Sequence, residues 1–274
     1  MAAGSRDGLM LRVISAIVLV PLAVGAAYAD SWPFVLVWSV AALGIAWEWS
    51  NMVAVGRLAL AAGLAALALA GVLAPFHVAA ACGAVLCGAA AVALLAEPRP
   101  GRSGMWAAAG IVYAGAVLVA PVVLRADATY GFAAMMFLFA VVWASDIFGY
   151  FVGRWIGGPK LWPAVSPKKT WSGAMGGALG ALLAGLAVAK YFYTANLLAA
   201  AVLALLLSAV SQAGDLFESA VKRRFGVKDA SHVIPGHGGL MDRLDGFVAA
   251  AVVAAMIGIL RGGLAAPARG LLVW

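Results

Sequence analysis

Charged side chains are scarce in this chain: they make up 11% of its 274 residues, against 65% hydrophobic ones. A soluble globular domain carries roughly 25% charged residues, so this composition excludes one and requires an integral membrane protein. Period-2 alternation is missing from the apolar runs, which excludes a transmembrane barrel; the spans must be helices, because lipid offers no partner for an unpaired backbone group. The expected fold class is all-α and polytopic. Cysteine is almost absent too. Cys82 and Cys87 stand in one apolar run without His or acidic neighbours, and they read as small buried hydrophobes rather than as a disulfide or a metal site. Internal repeats are lacking, which argues against a repeat-built secondary transporter. The net charge of +7 would suggest nucleic acid as the partner of a soluble protein; here it reflects basic residues kept on one side of a membrane, and no nucleic-acid partner is expected.

What is abundant is apolar sequence, in nine runs: 11–28, 32–52, 58–74, 78–96, 105–124, 131–152, 172–193, 196–213 and 247–260. The first ends in Ala27-Tyr28-Ala29, so signal-peptide cleavage is the alternative to a first span there. The tail 261–274 either extends the ninth run or lies at the interface. With nine alternating spans and the amino terminus in the cytoplasm, fourteen of the eighteen Lys and Arg residues fall on the inner side, as the positive-inside rule demands. The basic turn 98–103 then separates an amino-terminal bundle, 1–97, from a carboxy-terminal catalytic part, 98–274. Segments 157–171 and 215–246 share the cytoplasmic face.

Polar residues inside apolar runs are few enough to take singly. Glu48, between Trp47 and Trp49, reads as interfacial. His77 reads as solvated in a turn. Ser145 and Asp146 lie deep in the sixth run, where an ionisable group is costly enough to suggest a site. Asp146, Tyr150, Gly153 and Arg154 share one helical face, so a structural Asp146–Arg154 pair is the alternative. In the following loop Ser166-Pro167 signals a helix start, and Lys168-Lys169 stand at its entrance, where backbone amides and ammoniums suit phosphate. A positive-inside anchor explains the same lysines. Gly173, Gly176, Gly177 and Gly180 prepare the seventh helix for close approach by another.

The stretch 215–246 concentrates the remaining chemistry. It holds five of the eleven acidic residues (Asp215, Glu218, Asp229, Asp242, Asp245), five basic ones and two of the three histidines. If the eighth helix continues past the membrane surface, Asp215, Glu218 or Ser219, and Lys222 share one face. Asp242 and Asp245 share another, just before the ninth helix. Between them Pro235-Gly236-His237-Gly238-Gly239 must be largely loop. Carboxylates from two helix ends suit a hard, oxygen-preferring cation such as Mg²⁺, and the neighbouring lysines and arginines suit a polyphosphate. Metal-assisted phosphoryl or nucleotidyl transfer at the membrane face is the function expected. A juxtamembrane segment attracting anionic lipid is the bland alternative.

Ser219-x-Val221-Lys222-Arg223, four residues, then Lys228-Asp229-x-Ser231-x-x-Ile234-Pro235-x-His237-Gly238-Gly239-Leu240-x-Asp242-Arg243-Leu244-Asp245 resembles the signature of the phosphatidate cytidylyltransferases, or CDP-diacylglycerol synthases. Ser145-Asp146 through Gly153-Arg154, and Ser166-Pro167-Lys168-Lys169-Thr170-Trp171, resemble the same family, so that the resemblance covers the chain from about Val141. It implies attack of phosphatidate on the α-phosphorus of CTP, giving CDP-diacylglycerol and pyrophosphate with Mg²⁺, a second cation being possible. It also implies a homodimeric, multi-pass enzyme of the bacterial inner membrane with a cytoplasmic active site. Carried onto this chain, it makes Asp215 and Asp242 metal ligands, with Asp245 and Asp146 behind them. Lys168, Lys169, Lys222, Arg223 and Lys228 would hold CTP phosphates or the lipid head group; Asp229, Gly238, Gly239 and Arg243 complete the substrate contacts. Ser219 and His237 would shape the site, with His237 a candidate base that an already anionic phosphate nucleophile hardly needs. Ser172 departs from the family, where Glu or Gln is expected. The rivals are a CTP-dependent kinase of polyprenol or phytol, which would release CDP, and a non-enzymatic transporter.

Overall fold

The computed structural model describes residues 17–29, 31–97, 104–192, 196–231, 233 and 238–274. Along them run α1 (Ile17–Ala29), α2 (Ser31–Val53), α3 (Arg57–Leu73), α4 (Val78–Leu95), α5 (Gly104–Arg125), α6 (Gly131–Ile156), β1 (Lys160–Trp162), β2 (Ser166–Thr170), α7 (Trp171–Tyr191), α8 (Leu197–Arg224), α9 (Met241–Gly262) and α10 (Pro267–Leu272). The protein is an all-α polytopic membrane protein, with one small hairpin among the described residues. Among the described residues seven helices, α2 and α4 to α9, are long and apolar enough to cross a bilayer. The two shorter apolar helices, α1 and α3, coincide with the first and third apolar runs; the 17 residues of α3 reach about 26 Å at the α-helical rise.

Two compact units alternate along the chain: one comprises Met1–Val122 and Phe225–Leu244, the other Val123–Arg224 and Asp245–Trp274. In the first, α3 buries Ala59, Gly63, Leu67 and Ala70, and α4 buries Ala81, Val85, Gly88 and Val92. Both sets recur every three or four residues, the spacing of a single helix face. Cys82 and Cys87 lie off that face and are exposed; the reading of them as buried hydrophobes is corrected, because α4 is apolar all round and only one side of it meets α3. The Trp49 indole N–H donates to the Trp106 carbonyl at 2.8 Å, and the ring packs on Tyr113 with centroids 5.5 Å apart.

In the second unit α7 lies close against α6. A Cβ built on Gly173 would stand 2.8 Å from the Gly149 carbonyl oxygen, and one on Gly177 2.7 Å from that of Ser145. Only a residue without a side chain permits this approach. Deep in the same unit, Ser145 Oγ meets Ser208 Oγ at 2.8 Å, and the Gln212 amide donates to Ser208 Oγ and to the Ala174 carbonyl, each at 3.2 Å. Helices α6, α7 and α8 are therefore tied by hydrogen bonds as well as by packing. The tail folds back as α10, whose Leu271 is buried. Arg261 donates to the Gly270 and Val273 carbonyls and lies over the Trp274 ring. Asp127 accepts from the Thr129 and Tyr130 amides with one oxygen and from the Arg269 amide with the other, fixing α10 to the turn before α6.

Two boundaries differ from expectation. Ser166-Pro167 opens strand β2 instead of a helix; β2 pairs antiparallel with β1, Lys160 opposite Thr170 and Trp162 opposite Ser166. The helix start is Thr170, whose Oγ1 accepts from the Gly173 amide at 3.1 Å, the usual N-cap arrangement. Helix α9 begins at Met241, six residues before the apolar run, and so carries both Asp242 and Asp245 within it. Helix α8 does continue past its apolar run, to Arg224.

Candidate active site

In the second unit, one face of α8 presents Asp215, Glu218, Ser219 and Lys222 in successive turns, as the spacing requires. Lys169, near the end of β2, forms an ion pair with Asp215. The hairpin thus delivers an ammonium to the first acid of that face. Ser219 Oγ stands 3.5 Å from the other Asp215 oxygen, a long contact. Glu218 is fully buried and pairs with Lys222 at 2.6 Å, one turn on. Asp245, partly buried on α9, accepts from the Gly246 amide at 2.7 Å and lies within electrostatic range of Asp215, Glu218 and Asp146. Of the expected site residues, then, Asp146, Asp215, Asp245, Lys169, Lys222 and Ser219 fall in one cluster. Glu218 joins them. Lys168 and Arg223 are exposed at the edges of the same elements. Asp146 is itself exposed, and Arg154 donates to the Tyr150 hydroxyl at 3.1 Å.

Ser172 acquires a structural account. Its hydroxyl donates to the Gly157 carbonyl and meets Thr170 Oγ1 at 3.0 Å, closing the base of the hairpin that carries Lys168 and Lys169.

The first unit holds a second group. Asp242 Oδ2 accepts from the Gly239 amide at 2.7 Å and the Ala230 amide at 3.0 Å. Gly238 has φ +86°, a backbone conformation that side chains disfavour. Glu48 belongs here. It is 1% exposed, and its carboxylate accepts from the Ser231 hydroxyl at 2.6 Å and the Leu240 and Met241 amides at 2.8 and 2.7 Å. The signal in the sequence is a lone acid in an otherwise apolar helix. Lys228, Asp229 and Arg243 are exposed. His237 lies outside the described residues.

Among the described residues no group of three His, Cys, Asp or Glu side chains is set to hold a metal ion. The donor chemistry nevertheless fits Mg²⁺. Mg²⁺ is usually held by one or two carboxylates, the remaining positions being water and substrate phosphate. Around Asp245 stand three further carboxylates, and Lys169 and Lys222 pair with two of them. Such a concentration of hard anionic oxygen suits a small divalent cation rather than a soft metal.

The comparisons with known proteins agree with this chemistry. The sequence pattern described as the cytidylyltransferase family matches residues 10–260. A phosphatidate cytidylyltransferase of Brucella abortus is 43% identical over 256 residues, which cover 92% of this chain and 94% of that protein. Proteins of the same name from Rickettsia felis and Staphylococcus saprophyticus are 38% and 42% identical over 133 and 115 residues, 46% and 42% of this chain and 59% and 44% of theirs.

Proposed function

The chain belongs to the cytidylyltransferase family, and from that premise we propose that it is a phosphatidate cytidylyltransferase, joining CTP and phosphatidate into CDP-diacylglycerol with release of pyrophosphate. A phosphate oxygen of phosphatidate forms a bond to the α-phosphorus of CTP while the bond to the β-phosphate oxygen breaks. The nucleophile is already anionic at neutral pH, so no strong base is required. The observation that carries the reading is the meeting of Lys169 with Asp215 beside the Glu218–Lys222 pair, with Asp245 in range of three other acids. Acids alone would hold a cation; acids interleaved with lysines would hold a cation together with phosphates.

Each residue then has a task. Lys169 and Lys222 neutralise the phosphates and the charge that accumulates on departing pyrophosphate, with Lys168 and Arg223 as outer contacts; the family resemblance assigns Lys228 to phosphate as well. Phosphate arrival gives Lys169 a second anionic partner and loosens its hold on Asp215. Asp215, Asp245 and Asp146 are the residues that would hold Mg²⁺; the family resemblance assigns Asp242 to the cation as well. When bound, Mg²⁺ supplies charge neutralisation on phosphate oxygens. A second cation is compatible with this many carboxylates. The exposed apolar faces of α6 and α7, including Phe151, Trp155, Met175 and Leu179, leave the cluster's helices in contact with lipid, from which the diacyl substrate comes.

We also propose nine spans with a cytoplasmic amino terminus and active site, residence in the bacterial inner membrane, and a homodimer. Fourteen inner basic residues support the orientation, and the family resemblance supports the rest. The test is pyrophosphate release by purified protein in detergent with CTP, phosphatidate and Mg²⁺, comparing the wild type with Asp215→Asn. Pyrophosphate formed only with phosphatidate, and lost in the variant, is expected. CDP formed from CTP and a lipid alcohol would instead assign a lipid kinase, and silence with every lipid would return the chain to the non-enzymatic readings.

A further inference from the structure

Helix α9 begins without the side chain that normally caps a helix. Its first residue is Met241, preceded by Gly239-Leu240, and neither of those side chains can accept from the opening backbone amides. Glu48 supplies the missing acceptor from α2, 192 and 193 residues away in sequence: one oxygen takes the Leu240 amide and the other the Met241 amide. Negative charge is also favoured at a helix amino terminus by the macrodipole. The Oε1 atom that takes Leu240 also receives the Ser231 hydroxyl at 2.6 Å. Asp242, in the first turn of α9, binds the same two strips of chain from the other side, through the Ala230 and Gly239 amides. The two carboxylates therefore interlock across residues 230–231 and 239–241. Gly239 is caught between them: a Cβ there would stand 2.8 and 2.9 Å from the Glu48 oxygens and 3.0 Å from Asp242 Oδ2.

We infer that Glu48 is a positioning residue for the transfer reaction, acting through the first turn of α9 to hold the Asp242 carboxylate in its working orientation. The inference rests on the cytidylyl-transfer reading, in which Asp242 serves the cation. A merely structural Glu48 would change how many molecules fold; a positioning Glu48 changes how each folded molecule handles its cation. Glu48→Gln separates the two. Glutamine is the same size but has one accepting oxygen, and its amide NH₂ would face one of the two backbone N–H donors with another donor.

The experiment compares the full-length wild type, Glu48→Gln and the exposed control Glu97→Gln in detergent. Two quantities are read: hydrogen exchange of the backbone amides at 240–241, and the Mg²⁺ concentration that half-saturates pyrophosphate release. For Glu48→Gln we expect faster exchange at those amides and a half-saturating Mg²⁺ concentration raised about ten-fold, the usual effect of losing a residue that orients a metal ligand; for Glu97→Gln both stay at the wild-type value. Unchanged exchange overturns the inference, as does faster exchange with wild-type Mg²⁺ dependence. Should Glu48→Gln fail to fold, Ser231→Ala, which deletes one of three donors to the same carboxylate, is judged by the same two readouts, with smaller shifts expected. If the wild type itself releases no pyrophosphate, the functional reading has failed separately. The exchange measurement then decides the interlock alone, acceleration upholding it and its absence overturning it.

Discussion

Lys169 and Lys222 each face an acid on the same helix face, yet their burial separates what they contribute. The Lys169 and Asp215 side chains are 27% and 30% exposed, and an ion pair that solvent reaches adds only about 0–1 kcal/mol to stability. Lys169→Met should therefore leave the unfolding temperature nearly unchanged. Its cost falls on the reaction, where removing a donor aimed at developing charge lowers turnover by about 10²-fold or more. Lys222 behaves differently because its partner, Glu218, is fully buried. Lys222→Met takes the ammonium away from that carboxylate, and breaking a buried pair from one side destabilises by about 3–5 kcal/mol. Thermal unfolding in detergent should show this loss, and the double variant Lys222→Met with Glu218→Gln should recover most of it. Pyrophosphate release should stay low in the double variant, since the ammonium is still missing. Recovery of activity along with stability would reduce Lys222 to a structural partner.

At the scale of elements, the seam between α6 and α7 is the feature most easily tested. A methyl group at residue 177 would meet the Ser145 carbonyl oxygen at 2.7 Å, and backbone cannot swing aside as a side chain can. Gly177→Ala should cost about 1–3 kcal/mol through overpacking. Activity should fall too, because α7 follows directly on Lys169 and Thr170, and because Gln212 of α8 donates both to Ser145 on α6 and to the Ala174 carbonyl on α7. Wild-type melting and turnover in this variant would mean that the helices part without consequence. That seam was legible in the sequence as four glycines at helical spacing, and so were the apolar helices and the polar face of α8. The start of α9 was not. Hydropathy marks where lipid begins, whereas the helix begins where its amides find acceptors, and for α9 the acceptor is Glu48. The burial of Glu48 was hidden for the same reason: its three donors lie 183 to 193 residues downstream, beyond any local pattern. Ser166-Pro167 misled because proline opens helices and also suits an exposed strand position; the pairing with β1 decided between them, and Thr170 took the cap.

The whole molecule makes its own prediction about sidedness. In a background with Cys82 and Cys87 replaced by alanine, a cysteine at Arg224 and one at Arg269, both exposed, should react with a membrane-impermeant thiol reagent from opposite sides. The Arg224→Cys protein is expected to label from the cytoplasm and the Arg269→Cys protein from outside; labelling of both from one side would remove the odd number of spans and the orientation with it. A discontinuous unit has a further consequence, in time rather than in space. The first unit takes in residues 225–244 as well as residues up to 122, so a ribosome that has made the amino-terminal helices must synthesise about a hundred more residues before that unit can be finished, and domains otherwise tend to mature in the order they emerge. Throughout that interval Glu48 is already within α2 while Ser231, Leu240 and Met241 do not yet exist. The nascent protein carries an acid whose donors are still to be translated, and a chain released at residue 224 would carry it permanently. Such a fragment is a natural target for membrane quality control, and the arrival of residues 231–241 is the moment at which the amino-terminal helices cease to be one.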